Sequence, residues 1–231
     1  MTELATPPSL EPLVERYARM SKTFEPKAVD GVLRVLDVVL AGALLLVCSP
    51  LLVLSALALL GSGTRGVFYR GARVGRGGVI FTMLKFRTLK PEAEARIGRY
   101  SGIELTRMTA DEQTRVGHIL RATKLDELPQ LWNVLRGDMS IVGPRPIRPA
   151  FFAELCLEIP QYWQRLIVPP GLTGLAQLRL TREMTWAEKL AHDMEYIADR
   201  SVGLYLRAII ATVVKVASDA LRSMARTLTG D

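Results

Sequence analysis

The sequence predicts an α+β protein, mostly helical, held on one face of a membrane by a kinked re-entrant helix, with a small β-hairpin and amphipathic interfacial helices. Three observations carry that expectation. From Val38 to Leu60 the chain has no charged residue, and Pro50 interrupts the run. Two short apolar stretches flank the glycine cluster Gly75-Arg76-Gly77-Gly78. Helical apolar spacing with basic residues beside it recurs near both ends of the chain.

The uncharged run is long enough, at about 1.5 Å per residue, to cross a hydrocarbon layer of roughly 30 Å. A straight span and a buried core helix are the alternatives. A signal peptide fits poorly, because the run begins late and no small-residue cleavage site follows. Proline removes a backbone donor and clashes with the preceding turn, so Ser49-Pro50 marks a break. Lys22, Lys27 and Arg34 precede the run, and Arg65, Arg70, Arg73 and Arg76 follow it. One crossing would place a basic cluster on the outer side, against the cytoplasmic bias of Lys and Arg. A helix that enters, bends and leaves by the same face satisfies both facts, with Ser49 free to bond a carbonyl that Pro50 orphans.

Ahead of that run, Leu10, Leu13, Val14 and Tyr17 predict a short amphipathic helix. Behind it, strands are expected over 67–69 and 79–83, joined by the glycine cluster as a hairpin loop. Residues 91–124 read as polar and mostly helical, with Ile119 and Leu120 on the apolar side. Pro169-Pro170-Gly171 marks a loop. Thr185 and Glu188 have capping-box spacing, predicting a helix to about Arg200. A last helix over 202–226 groups Leu206, Ile209, Ile210, Val213, Ala217, Leu221 and Met224. That side faces either a membrane or the core.

Composition narrows function. In 231 residues, 30 Lys and Arg against 23 Asp and Glu give a net charge of +7, favouring anionic partners. Two cysteines, Cys48 and Cys156, cannot staple a chain of this size, which points to a reducing, cytoplasmic setting. No nucleic-acid-binding signature accompanies the positive charge, so nucleic acid is not an expected partner.

The acid pair Asp126-Glu127 sits among Leu125, Leu128 and Leu131, and Pro129 requires that any helix begin only a residue or two before it. The structural reading makes Asp126 an N-cap and Glu127 a first-turn acid. The chemical reading uses the cations nearby: Arg115, Arg121, Lys124 and Arg145, with Lys85 and Arg87 if the hairpin folds close. Two carboxylates among arginines suit phosphoryl transfer, one attacking phosphorus and the other holding a divalent ion.

Several ordered blocks then carry a resemblance. They are Leu36-Asp37 before Ser49-Pro50, Arg73-Val74-Gly75, Lys85-Phe86-Arg87-Thr88, Thr114-Arg115-Val116-Gly117, the run from Leu125 to Val134, Gly137-Asp138-Met139-Ser140, Val142-Gly143-Pro144-Arg145-Pro146, Pro170-Gly171-Leu172-Thr173-Gly174, and Asp193 to Tyr196. Over 34–196 the chain resembles the bacterial sugar transferases, monotopic phosphoglycosyl transferases that move a sugar phosphate from a UDP-sugar to polyprenyl phosphate. The resemblance implies Asp126 as nucleophile, Glu127 as the Mg2+ ligand beside it, and Arg121 and Arg145 on substrate phosphates. Pro144 and Pro146 would lie near the nucleotide, and Ser49-Pro50 at the re-entrant break.

It further implies UMP release through an aspartyl-phosphosugar intermediate, as the first membrane step of glycan assembly, at the cytoplasmic face of the bacterial inner membrane. The expected division is an extension over 1–31, the re-entrant helix over 32–61, and a cytosolic catalytic domain over 62–231 in a minimal form of the family. Membrane lipids are implied partners, a homodimer is left open, and Asp193 and Tyr196 carry no assigned role. A membrane-tethered scaffold without activity is the competing class. Gly71-Ala72, His118, Ala176 and Arg179-Leu180-Thr181 depart from the family pattern, leaving the sugar undetermined.

Overall fold

The computed structural model describes residues 26–62, 64, 66–90, 93, 112–181 and 184–229, the last ten of these by backbone alone. The expected amphipathic helix around Leu10–Tyr17, Arg65, and most of the 91–111 stretch lie outside the described residues.

Helix α1 (Ala28–Val47) meets α2 (Ser49–Gly61) at Cys48 with a bend of 60°. Among the described residues no single helix is long and apolar enough to cross a membrane, while this bent pair passes that test together. The break follows from Pro50, whose missing N–H leaves the Leu46 carbonyl without its helical donor. The Ser49 hydroxyl donates to that carbonyl at 2.8 Å, the repair expected from the dipeptide. Much of the pair's apolar surface is open: Val39, Leu46, Val47, Val53, Leu54, Leu57 and Leu60 are exposed, Leu46 to 77%.

The first half of α1 is docked into the rest of the molecule. Leu33, Asp37 and Ala41 are buried. Asp37 Oδ1 accepts from the Ser140 hydroxyl at 3.0 Å, the Ile141 N–H at 2.8 Å and the Tyr205 hydroxyl at 2.8 Å. Arg200 closes on Asp30 at 2.6 Å, and Arg34 donates to the carbonyls of Val134 and Leu135 in the last turn of the helix over Gln130–Arg136.

Strands β1 (Phe68–Val74) and β2 (Ile80–Phe86) form an antiparallel hairpin paired from Phe68↔Phe86 to Val74↔Ile80. Both run further than 67–69 and 79–83, because Arg70, Gly71, Arg73 and Lys85 interrupt the apolar pattern while their backbones still complete the ladder. Helix α3 (Arg115–Ala122) is capped by the Thr114 hydroxyl, which accepts from Gly117 N–H at 2.9 Å. Of its two expected core residues only Leu120 is buried; Ile119 is 60% exposed, one step of the helix turning it off the packed face. At Gly117 a Cβ would overlap the Thr88 carbonyl, so this close approach of α3 to the end of β2 requires glycine.

Helix α4 (Gln130–Arg136) starts just after Pro129, which is its N-cap, rather than a residue or two before it, and ends at Gly137, left-handed at φ 89°. Asn133 on α4 locks it to β2, accepting from Leu84 N–H at 3.0 Å and donating to the Thr82 carbonyl at 2.8 Å. Next come β3 (Ser140–Val142), α5 (Pro149–Glu158), a turn of 3-10 helix over Tyr162–Ile167, and β4 (Gly171–Thr173). The expected loop at Pro169-Pro170-Gly171 thus opens into a strand, parallel to β3. A Cβ on either Gly143 or Gly171 would collide with the opposite backbone, which explains the glycines and why a strand there escaped its pattern.

Helix α6 (Leu175–Leu178) precedes α7 (Trp186–Asp199), which has the expected Thr185–Glu188 capping box, and α8 (Val202–Thr229). On α8 the core face is Tyr205 and Ala208, with the Thr212 hydroxyl bonded to that of Thr173 at 2.7 Å. The expected apolar group is split: Ile209 packs against the main core, whereas Leu206, Ile210 and Val213 are exposed, Ile210 to 63%. The main core joins Leu33 and Ala41 of α1 to Phe81, Met83, Leu131, Val134 and Tyr196. A second centres on Val74, Ile147, Phe152, Tyr162 and Leu190, and a third sets Leu59 of α2 against Phe86 and Leu120.

Candidate active site

The acid pair lies on a short 3-10 turn, Leu125–Glu127, between α3 and α4. Lys124 reverses the chain into that turn in the left-handed region, at φ 60°, a conformation costly for a residue with a Cβ. Leu125 packs into the third core and Leu128 against the main one, so apolar burial holds the turn on both sides. Helix α4 is capped by Pro129, and the Thr114 hydroxyl caps α3. The N-cap reading of Asp126 is therefore corrected. Pro129 occupies the cap, and Asp126 lies in the preceding turn.

The two acids have opposite surroundings. Glu127 Oε1 meets Lys85 Nζ at 2.6 Å and Arg145 Nη2 at 3.8 Å. Burial works to raise the Glu127 carboxyl, but Lys85, Arg145 and Lys124 prevail and hold it at about 2. Asp126 is 7% exposed, and among the described residues no hydrogen bond or ion pair engages its carboxylate. Burial raises its carboxyl above the ordinary 3.8, with Lys85 opposing, Glu127 reinforcing, and Arg121 and Lys124 opposing. Neighbouring carboxylates thus differ, one permanently ionised and engaged, the other buried with its oxygens uncommitted.

The hairpin does fold close, as Lys85 requires. Arg121 projects from the last turn of α3 and is held by its Nε–H donating to the Thr88 hydroxyl at 2.8 Å; it lies near enough to Asp126 and Glu127 to feel both charges. Arg87 donates to the Phe68 carbonyl at 3.3 Å. The segment Pro144-Arg145-Pro146 is fixed through its carbonyls. Gly171 N–H donates to Pro144 at 2.9 Å, Arg165 to Arg145 at 3.0 Å and Val74 N–H to Ile147 at 3.0 Å. With its backbone so held, the Arg145 side chain is 56% exposed and reaches toward Glu127.

Four residues with no expected role, Arg165, Asp193, Thr88 and Asn133, complete this frame. Arg165 is buried, pairs with Asp193 at 2.7 Å and donates to the Tyr162 hydroxyl at 2.9 Å, so Asp193 supports the Arg145 loop through Arg165. Thr88 orients Arg121, and Asn133 locks α4 to the strand that carries Lys85. None had a local signal beyond lying in or near a motif block, because their partners are remote in sequence. Tyr196 is buried in the main core.

A turn that sets a buried, uncommitted carboxylate beside an ionised one, inside a ring of Lys and Arg, defines a site for acid-based chemistry on an anion. The chain belongs to the bacterial sugar transferase family, whose model matches residues 29–219. It is 42% identical over 191 residues to a UDP-glucose:undecaprenyl-phosphate glucose-1-phosphate transferase of Caulobacter vibrioides, an alignment covering 80% of this chain and 70% of that protein. It is 33% identical to a UDP-N-acetylgalactosamine-undecaprenyl-phosphate N-acetylgalactosaminephosphotransferase of Aeromonas hydrophila, covering 78% of this chain and 42% of that protein. It is also 35% identical to an exopolysaccharide production protein, PSS, of Rhizobium leguminosarum, covering 78% of this chain and 92% of that protein.

Proposed function

We propose that this protein is a phosphoglycosyl transferase that moves a sugar phosphate from a UDP-sugar to polyprenyl phosphate at the cytoplasmic face of the bacterial inner membrane, in exopolysaccharide or related glycan assembly. The observation that carries the proposal is the division of labour at 126 and 127. The uncommitted Asp126 oxygen attacks the phosphorus bearing the sugar. The bond from that phosphorus to the bridging oxygen breaks, and UMP leaves with the electron pair. An oxygen of polyprenyl phosphate then attacks the same phosphorus, forming the lipid diphosphate sugar and returning the Asp126 carboxylate. Arg121 and Arg145 neutralise phosphate oxygens in both steps, and Lys85 keeps Glu127 ionised throughout.

The donor set suits Mg2+, which is usually held by one or two carboxylates together with substrate phosphates. Both cations at Glu127 face Oε1, so they do not occupy its second oxygen. Among the described residues no three His, Cys, Asp or Glu converge, consistent with an ion shared with substrate rather than caged by protein. Glu127, with Asp126, would hold Mg2+, which when bound supplies positive charge at the diphosphate. The α1–α2 pair supports the membrane assignment: it is bent, apolar on its open surface and repaired at Pro50 by its own Ser49 hydroxyl. The exposed Leu206, Ile210 and Val213 of α8 suit a helix lying in the interface.

The test is UMP release from a panel of UDP-sugars in detergent, with and without polyprenyl phosphate. Wild-type protein is expected to release UMP and form the lipid product, and Asp126→Asn to form none. Turnover by the Asn variant at near wild-type rate removes Asp126 from the nucleophilic role. Chelation of divalent cations is expected to abolish turnover, with recovery on adding Mg2+.

A further inference from the structure

Beyond the acid pair, a second group of cations stands at the far end of the hairpin. Val74 and Ile147 form an antiparallel bridge, which brings Arg73 and Arg148 to opposed positions one residue along. Like charges so placed repel. Burial is the main force lowering the Arg73 guanidinium from its usual value; Tyr69 supports its charge, and the cations of Arg148 and Arg145 disfavour it. Among the described residues neither Arg73 nor Arg148 pairs with a carboxylate, and Arg145 has only the 3.8 Å contact with Glu127.

The surroundings favour a negative group at this point. Arg148 is the N-cap of α5, whose first-turn amides face the same end. Tyr69, Arg73 and Lys85 share one face of the hairpin, since Tyr69 pairs with Lys85 and the pleat alternates. Gly71 lies between Tyr69 and Arg73, and a Cβ there would come within 2.5 Å of the Tyr69 hydroxyl. The absent side chain is what lets the ring fold along the strand toward Arg73. One continuous cationic track therefore runs from Lys85 at Glu127, through Arg145, to Arg73 and Arg148.

We infer that Arg73 and Arg148, with Arg145 between them and the acid pair, form the site that grips the nucleotide's own phosphate, the one that departs with UMP. Two phosphoryl groups are available to such a site, that of the nucleotide and that of the lipid. Position favours the first. The Phe68–Phe86 end of the hairpin packs beside α2 through Leu59, whereas Arg73 lies five residues further along the strand, roughly 17 Å from it. Both phosphates meet the same phosphorus in turn, but the lipid's tail must run beside α2 at the near end, whereas a water-soluble nucleotide is free to extend toward the far one. Tyr69 is a positioning residue for Arg73, and Gly71 is the space it needs.

The inference rests on a nucleotide sugar being the donor, and equilibrium binding separates the two. UMP and uridine affinities are measured on the full chain in detergent for wild type, Arg73→Gln, Arg148→Gln and Tyr69→Phe. Each Gln variant is expected to bind UMP about tenfold more weakly, the loss of one charge-assisted hydrogen bond. Uridine affinity and the KM for polyprenyl phosphate should be unchanged, and Tyr69→Phe should show a smaller loss for UMP.

As a measurement free of folding effects, UMP should protect Arg73 and Arg148 of wild-type protein from phenylglyoxal, mapped by mass spectrometry. Undecaprenyl phosphate should not. Unchanged UMP affinity, absent UMP protection, or protection by the lipid phosphate instead would overturn the assignment. Such results alongside normal UMP release would leave the proposed reaction standing, whereas failure of UMP release would remove that reaction itself.

Discussion

The helix break at Cys48–Pro50 and the loop at Pro144–Ile147 pose the same backbone problem and solve it differently. Each contains proline, which cannot donate. At the break, one hydroxyl three residues from the orphaned Leu46 carbonyl completes the repair. In the loop, the carbonyls of Pro144, Arg145 and Ile147 are held from β4, from the turn after α5 and from the end of β1. A local repair is self-contained and survives change elsewhere. The loop inherits its shape from three remote elements, and Arg145 with it.

That contrast predicts a ranking of effects. The largest belongs to the loop: Asp193→Ala strips the buried Arg165 of its counter-charge and should cost about 3–5 kcal/mol in denaturant unfolding. A stability within 1 kcal/mol of wild type would show that Arg165 is not the strut. Thr88→Val removes the hydrogen bond to Arg121 and should lower kcat/KM about tenfold or more with the thermal transition little changed. Equal kcat/KM would mean that Arg121 is oriented by other groups. At the break, Ser49→Ala should cost only about 1 kcal/mol, read as a modest fall in thermal stability in detergent. A loss as large as that of Asp193→Ala would erase the distinction between local and remote repair.

The smallest effect is in pH dependence. As pH falls, protonation of Asp126 removes the nucleophile, and because burial raises this carboxyl, the acid limb of kcat/KM should lie above 3.8. Glu127, held at about 2, stays ionised across that limb. Lys85 lowers Asp126, so Lys85→Met should move the limb of the residual activity to higher pH. A limb that does not move would place Lys85 too far from Asp126 to influence it.

What was legible in the sequence follows the same division. The break, its Ser49 bond, the Thr185–Glu188 box and the hairpin loop all rest on residues a few positions apart. The pairing of Lys85 with Glu127 and the gathering of Arg121 and Arg145 near it were expected as residues, but their geometry was not. The extra strand length, the β3–β4 ladder and the Arg165–Asp193 strut depend on partners tens of residues away, and on glycines whose reason is another backbone. On α8 the expected apolar side is shared, Ile209 packing on the main core while Leu206, Ile210 and Val213 stay open, and Tyr205 and Thr212 face inward through hydroxyl bonds that a hydrophobic pattern does not register.

Asp37 imposes an order of assembly. Its carboxylate sits in the first described helix, yet one of its three donors, Tyr205, is supplied 168 residues later. During synthesis this helix emerges long before that hydroxyl exists, so its acid must remain hydrated, or be sheltered by another protein, until the helix that carries Tyr205 closes over it. Seating of the bent α1–α2 pair and arrival of the helix that carries Tyr205 are thereby tied into one event, and a polypeptide cut short before Tyr205 would carry a poorly satisfied charge in the place where its core should shut.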